Sequence, residues 1–164
     1  MDSDGLTPLH LASQKGLTHV ARLLFEHGVD VNTRDNNRTT ALHLASREGH
    51  IDVARWLFER GVDVDIQDSD GQTPLHLTSQ RGHIDIARLL LERILDVNSR
   101  DNNRSTALHL ASRSGKLEVA YLLLEHGTDI ETEDNMGRTP LQVASEQHNE
   151  ITNLLSKRCI SRNT

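Results

Sequence analysis

Histidine is the residue type in this sequence with the clearest chemical potential. The chain has 10 histidines among 164 residues, and imidazole is both a common metal ligand and an acid or base near neutral pH. Four of them, His10, His43, His76 and His109, stand 33 residues apart. A fixed spacing of this length indicates one histidine in each of several repeated units.

A metal site shared between these histidines is excluded by geometry. Packed helices lie about 8 to 10 Å apart, whereas a zinc ion needs each ligand atom at about 2 Å. We therefore expect each histidine to be a structural residue that forms hydrogen bonds between successive loops. The sequence predicts no metal and no cofactor.

The carboxylates follow the same period. One set precedes turn-forming residues, and the other falls in the first turn of a predicted helix, where the helix dipole favours negative charge. The sets are Asp35, Asp68, Asp101 and Asp134, and Asp52, Asp85 and Glu118. A nucleophile would need a base and an orienting group in one pocket. No such constellation stands outside the repeat pattern, so we expect no enzyme.

The elements that position these residues begin at one short motif. Thr73-Pro74-Leu75-His76 has close copies that start at Thr7, Thr40, Thr106 and Thr139. Threonine can cap the free backbone N–H groups at a helix start, and proline is tolerated at the first helical position. The motif therefore predicts a short helix in each copy.

A second helix and a loop complete each unit. Residues 84–92 are apolar at helical spacing, and residues 96–104 are rich in turn formers. Each unit is thus predicted to be a helix-turn-helix followed by a projecting, hairpin-like loop.

Taken together, Thr73-Pro74-Leu75-His76, Gly82-His83, Leu89-Leu90-Leu91 and Asp96-Val97-Asn98 resemble the ankyrin repeat. The resemblance covers essentially the whole chain in five copies that keep the same phase. It implies an all-α repeat solenoid, an ankyrin-type helix-turn-helix stack with short β-hairpin-like loops. It also implies structural roles for one set of residues, which are Thr7, His10, Thr40, His43, Thr73, His76, Thr106 and His109.

The 33-residue spacing divides the chain into five repeats of a single array. Repeat one covers residues 2–34, repeat two 35–67, repeat three 68–100, repeat four 101–133 and repeat five 134–159. Repeat five loses one residue at His148 and becomes more polar, so we expect it to be a C-terminal cap, and residues 160–164 to fray. Repeat one starts without a polar capping helix, from which we expect the sequence to be part of a larger intracellular protein.

Two arginines depart from this frame. Arg38 and Arg104 replace the turn glycine found in repeats one and three. Asn36-Asn37 and Asn102-Asn103 could adopt the left-handed conformation in its place, in which case the alternation records only the duplication of a two-repeat unit. The alternative is that the two arginines are partner contacts at the loop tips.

Ile94 is the other departure. It stands where Gly28, Gly61 and Gly127 follow the second helix of the other repeats. We expect this position to be left-handed, at a cost of roughly 1 to 2 kcal/mol for a β-branched residue. Ile94→Gly should then raise stability.

Composition limits the remaining classes. The net charge of −6 and the pI near 5.9 argue against nucleic acid as a partner. The single cysteine, Cys159, favours a reducing compartment. No apolar run reaches the length of about 18 residues that a membrane helix needs. We expect a soluble, intracellular, cytoplasmic monomer without membrane contact.

Ankyrin repeats, by resemblance, bind partner proteins on the concave face formed by loop tips and first helices. The candidate contacts are Lys15, Asn37, Arg38, Arg47, Asp70, Gln72, Gln80, Arg81, Asn103, Arg104, Arg113 and Arg138. Because arginine pairs well with carboxylates, an acidic protein segment is the expected partner. The alternatives are a solvated surface of mixed charge and a spacer array without a dedicated partner.

Overall fold

The computed structural model describes residues 3–145 and 149–162. These residues form ten α-helices and no strand, so the predicted all-α repeat solenoid is confirmed. The first helices of the repeats are α1 Pro8–Gln14, α3 Ala41–Glu48, α5 Pro74–Arg81, α7 Ala107–Arg113 and α9 Pro140–Ser145. The second helices are α2 Thr18–Glu26, α4 Ile51–Glu59, α6 Ile84–Leu91, α8 Leu117–Glu125 and α10 Asn149–Arg162.

Each first helix starts with the capping arrangement that its sequence favours. In α5 the Thr73 hydroxyl accepts the backbone N–H of His76 at 3.4 Å, while Nδ1 of His76 accepts the N–H of Thr73 at 3.2 Å. The same reciprocal pair opens α1, α3 and α7. In repeat five a glutamine replaces the histidine, and the N–H of Thr139 donates to Oε1 of Gln142 at 2.8 Å.

The helices stack in two parallel rows. First helices pack on first helices, second helices pack on second helices, and the two helices of each repeat join the rows. Leu57 and its equivalents Leu90 and Leu123 are fully buried between the rows. Each repeat therefore completes its core with side chains of its neighbours, and few aromatic residues are needed.

The loop tips of repeats two to five are held by the aspartate that starts the repeat. Oδ1 of Asp68 accepts the N–H groups of Asp70 and Gln72, both at 2.9 Å. The tips are also joined to each other, since the N–H of Ser69 donates to the carbonyl of Asn37 at 2.8 Å. The side chain of Asn102 donates to the carbonyl of Ser69 at 2.9 Å.

The two tip arginines carry the backbone strain that was expected of asparagine. Arg38 and Arg104, at φ 59° and 58°, are the non-glycine residues with positive φ in the described chain. The expectation that the asparagines adopt this conformation is therefore wrong. The side chains of Asn36 and Asn102 instead reach back to the preceding tip, and the turn places the next-but-one residue in the left-handed region.

The expectation for Ile94 is also wrong, because Ile94 does not have a positive φ. Helix α6 ends at Leu91, and Glu92 keeps a right-handed conformation with φ −66°. The N–H of Ile94 then donates to the carbonyl of Leu90 at 3.1 Å, and its side chain packs partly buried against the core. Apolar contact has replaced the glycine turn, so the argument for a stabilising Ile94→Gly substitution no longer holds.

The C-terminal helix is longer than expected. Helix α10 extends to Arg162 and so includes residues 160–162, which were expected to fray. Ile151 and Leu155 are buried against the preceding repeat. The one-residue slip at His148 lies outside the described residues. No helix within 3–145 and 149–162 has the length and apolar character to cross a bilayer.

The opposite end of the stack exposes apolar side chains. Leu11 is 40% exposed, whereas Leu44, at the equivalent position of repeat two, is 3% exposed. Val20 and Val53 differ in the same way, at 40% and 0%. Repeat one therefore presents to solvent the surface on which internal repeats pack.

Candidate protein-binding face

The motif histidines connect each repeat to the next. Nδ1 of His43 accepts the N–H of Thr40 at 3.2 Å, so Nε2 carries the proton and donates to the carbonyl of Gln72 at 3.1 Å. The equivalent bonds join His10 to Thr39, His76 to Ser105 and His109 to Arg138, at 3.0 to 3.1 Å. Both ring nitrogens are therefore occupied by hydrogen bonds that join the repeats.

Burial keeps three of these rings neutral. It lowers the pKa of His43, His76 and His109, and hydrogen bonds to backbone carbonyls and nearby aspartates oppose this effect without reversing it. Neutral rings can accept at Nδ1, as the capping arrangement requires. Within the described chain no three His, Cys, Asp or Glu side chains come together to hold a metal.

A second pair of histidines connects the repeats in the reverse direction. Nε2 of His50 donates to the carbonyl of Gln14 at 3.0 Å, and Nε2 of His83 donates to that of Arg47 at 3.2 Å. No partner for either residue was predicted from the sequence. Their 33-residue spacing was the available signal.

The tip residues proposed as partner contacts are accessible. Asn37, Arg38, Asp70, Asn103 and Arg104 are all exposed. Gln72 is half-buried and its carbonyl is already bonded to a motif histidine. The tips thus present two arginines, two amides and one carboxylate to solvent.

The first helices add cations, and only some of these cations are free of an ion pair within the described residues. Lys15, Gln80 and Arg81 are exposed, and neither Lys15 nor Arg81 forms an ion pair within the described residues. Nε of Arg47 lies 3.1 Å from the adjacent Glu48 carboxylate. That pair is partly exposed and therefore weak.

At the C-terminal end two of the predicted arginines share one carboxylate. Oδ2 of Asp134, which is nearly buried, lies 3.0 Å from Nη2 of Arg138 and 3.7 Å from Nη2 of Arg113. These arginines, with Asn103 and Met136, line a cavity of about 200 Å³. Tip residues and the end of a first helix therefore meet at one site.

The ionised form of Asp134 is stabilised by its neighbours. Burial alone would raise its pKa, but hydrogen bonds from the Arg138 backbone and side chain, and from the Met136 N–H, outweigh burial and lower it. Asp134 therefore remains ionised and occupies the guanidinium of Arg138. An acidic partner at this end would have to compete with it.

Comparison with known proteins agrees with the two-row architecture. The family model described as ankyrin repeats (3 copies) matches residues 1–68 and 60–134. The chain belongs to the ankyrin repeat family. The match ends where repeat five begins, at the aspartate that the two arginines share. No curated protein matches the chain.

Ankyrin repeats are generally protein–protein interaction modules and generally non-enzymatic. In this ankyrin array the motif histidines hold the repeats together through both ring nitrogens. The same residues that define the family are thus unavailable as contacts.

Proposed function

We propose that this ankyrin array binds a partner protein through its loop tips and first helices, and that the bound segment is acidic. The observation that supports this most strongly is the conformation of Arg38 and Arg104. A left-handed residue other than glycine costs roughly 1 to 2 kcal/mol, and the equivalent positions Gly5, Gly71 and Gly137 avoid that cost. The presence of exposed arginines at a strained tip is explained if their guanidinium groups contact a partner.

The distribution of available charge supports an acidic segment. Lys15 and Arg81 add unpaired cations on the first-helix row, although the chain as a whole has a net charge of −6. Guanidinium groups recognise carboxylates through paired hydrogen bonds. A segment rich in aspartate and glutamate would therefore find its best match on this face.

The setting of the array is part of the same proposal. Leu11, Val20 and Leu23 are exposed in repeat one, although their equivalents in the internal repeats are covered by the preceding repeat. A further repeat or domain packed there, within a larger intracellular protein, would cover them.

The test uses two variants with the same change in charge. Arg81→Glu combined with Arg104→Glu reverses charge on the proposed face, and Arg22→Glu combined with Arg55→Glu reverses it on exposed positions of the second helices. Binding of a fluorescein-labelled glutamate-rich peptide is measured by anisotropy at two salt concentrations. We expect the face variant to lose at least about tenfold in affinity and the control less than about threefold.

Three outcomes would contradict the proposal. Equal loss in both variants would mean that only the net charge matters. No effect of either variant would mean that the proposed face does not bind the peptide, and failure of the wild type to capture any cellular protein would favour the spacer interpretation. Weaker binding at high salt is expected in every case, because the pairs are solvent-exposed.

A further inference from the structure

The second-helix row contains an open groove that lies away from the tips. A cavity of about 520 Å³ is bordered by α6, α8 and α10. Its apolar lining consists of Ile84, Leu117, Leu122 and Leu154. This volume falls within the range of about 300 to 1,000 Å³ that is usual for ligand sites. We call this surface the outer groove.

The N-terminal part of the second-helix row is packed differently. Between α2 and α4, Trp56 packs edge-on against Phe25 at 5.9 Å, and the guanidinium of Arg60 lies over both rings. In α8 the position equivalent to Trp56 is Leu122. The residue equivalent to Arg60 is His126, whose Nδ1 donates to the backbone carbonyl of Leu122 in the same helix at 2.8 Å.

The edges of the outer groove carry opposite charges. Glu118 and Glu125 lie on α8, and Arg88 lies across the groove on α6. None of the three forms an ion pair within the described residues. Tyr121 stands between the two carboxylates and is 54% exposed. Two unpaired carboxylates beside an apolar floor favour a ligand that combines an apolar group with a cation.

We propose that the outer groove is a second docking site, which binds an amphipathic helix of a partner protein through apolar side chains flanked by lysine or arginine. The apolar side chains occupy the floor formed by Leu117, Leu122 and Leu154. The cations pair with Glu118 and Glu125. Tyrosine and arginine at the edges are the residue types that contribute most to protein interfaces, and a helix in a groove is a common mode of recognition.

The two docking sites select opposite charges. The first-helix face selects an acidic segment, whereas the outer groove selects a basic one. The outer groove can therefore be tested by itself, since its carboxylates lie on the second-helix row and none of its lining residues belongs to the first-helix face.

The probe is a fluorescein-labelled helical peptide with leucines one turn apart and lysines beside them. Its controls are a peptide with glutamate in place of lysine and a scrambled peptide of the same composition. We expect Glu118→Lys combined with Glu125→Lys to weaken binding of the lysine peptide at least about tenfold. Asp52→Lys combined with Glu59→Lys makes the same charge change 66 residues earlier and should weaken it less than about threefold.

A second pair of variants tests the apolar part. Tyr121→Ala removes one wall of the groove without disturbing the core, and Arg55→Ala is its equivalent in repeat two. Only Tyr121→Ala should lower affinity. The proposal is overturned if the lysine peptide does not bind, if the glutamate or scrambled peptide binds equally well, or if the variants in repeat two have the same effect.

Discussion

Repeat one and repeat two follow the same residue pattern but differ in what covers them. Leu11 and Val20 are partly exposed, while Leu44 and Val53, at the equivalent positions, are buried by repeat one itself. In a globular domain the burial of a residue depends on the whole fold. Here it depends on the presence of one adjacent repeat, so identical side chains should contribute differently to stability.

The largest expected difference is between two leucine truncations. Leu44→Ala should lower the free energy of unfolding by about 2 to 5 kcal/mol, because it leaves a cavity between repeats. Leu11→Ala removes the same atoms from a partly exposed position and should cost less than about 1 kcal/mol. Urea denaturation of both variants measures this directly. Equal losses would mean that the face of repeat one is covered in solution, for example by self-association.

The next largest effect on stability is expected at the loop-tip glycine of repeat one. Gly5 has φ 76°, and a Cβ there would lie 2.6 Å from Oδ1 of Asn36 and 3.0 Å from its backbone nitrogen. Gly5→Ala should therefore cost roughly 1 to 2 kcal/mol, through left-handed strain and the close approach to the next tip. Its midpoint in urea would be compared with that of Gly28→Ala, where φ is 83° but nothing lies within 4 Å. A larger loss for Gly28→Ala would contradict the importance of the contact.

The equivalent position of repeat two should respond in the opposite direction. Arg38→Gly should raise stability by about 0.5 to 1 kcal/mol, because relief of left-handed strain exceeds the added entropy of glycine in the unfolded chain. Arg38→Ala keeps the strain and serves as the control, with little change in the thermal midpoint. If both substitutions destabilise the array equally, the guanidinium of Arg38 contributes to folding and its proposed role in binding is weakened.

The smallest effect concerns pH. Burial lowers the pKa of His43. Below about pH 6.5 this histidine therefore becomes protonated in the unfolded chain while it stays neutral in the folded chain. Stability from this residue is therefore complete above pH 6.5 and decreases as the pH falls towards the lowered folded value. In repeat five Gln142 shows that an amide can accept the threonine N–H. His43→Gln should make urea midpoints less sensitive to acid, and an unchanged pH dependence would show that His43 does not contribute.

The sequence was sufficient to predict the architecture because the relevant interactions are local. Thr73, Pro74 and His76 determine a helix start among themselves, and their 33-residue spacing determines the stack. The conformation of Arg38 was not predictable, because it depends on Asn36 reaching a carbonyl in the preceding repeat. The backbone conformation of Ile94 was predicted wrongly for the same reason, since its apolar contacts come from outside its own turn.

The candidate binding surfaces were predicted less completely. The accessible tip residues follow from their positions in the repeat, but the pairing of Arg113 with Asp134 joins residues of different repeats. The outer groove is lined by side chains of α6, α8 and α10, so it is apparent only when three helices are assembled.

The alternation at the loop tips has a consequence for the alignment of an elongated ligand. On a uniform array of five tips, a ligand with two charges two repeats apart could sit in three registers, and it could slide between them. Here the tip positions are Gly5, Arg38, Gly71, Arg104 and Gly137. Of those three registers, only one brings both charges to arginine. If the proposed acidic segment pairs with these arginines, the doubled period of the surface would hold it at a single position along the array.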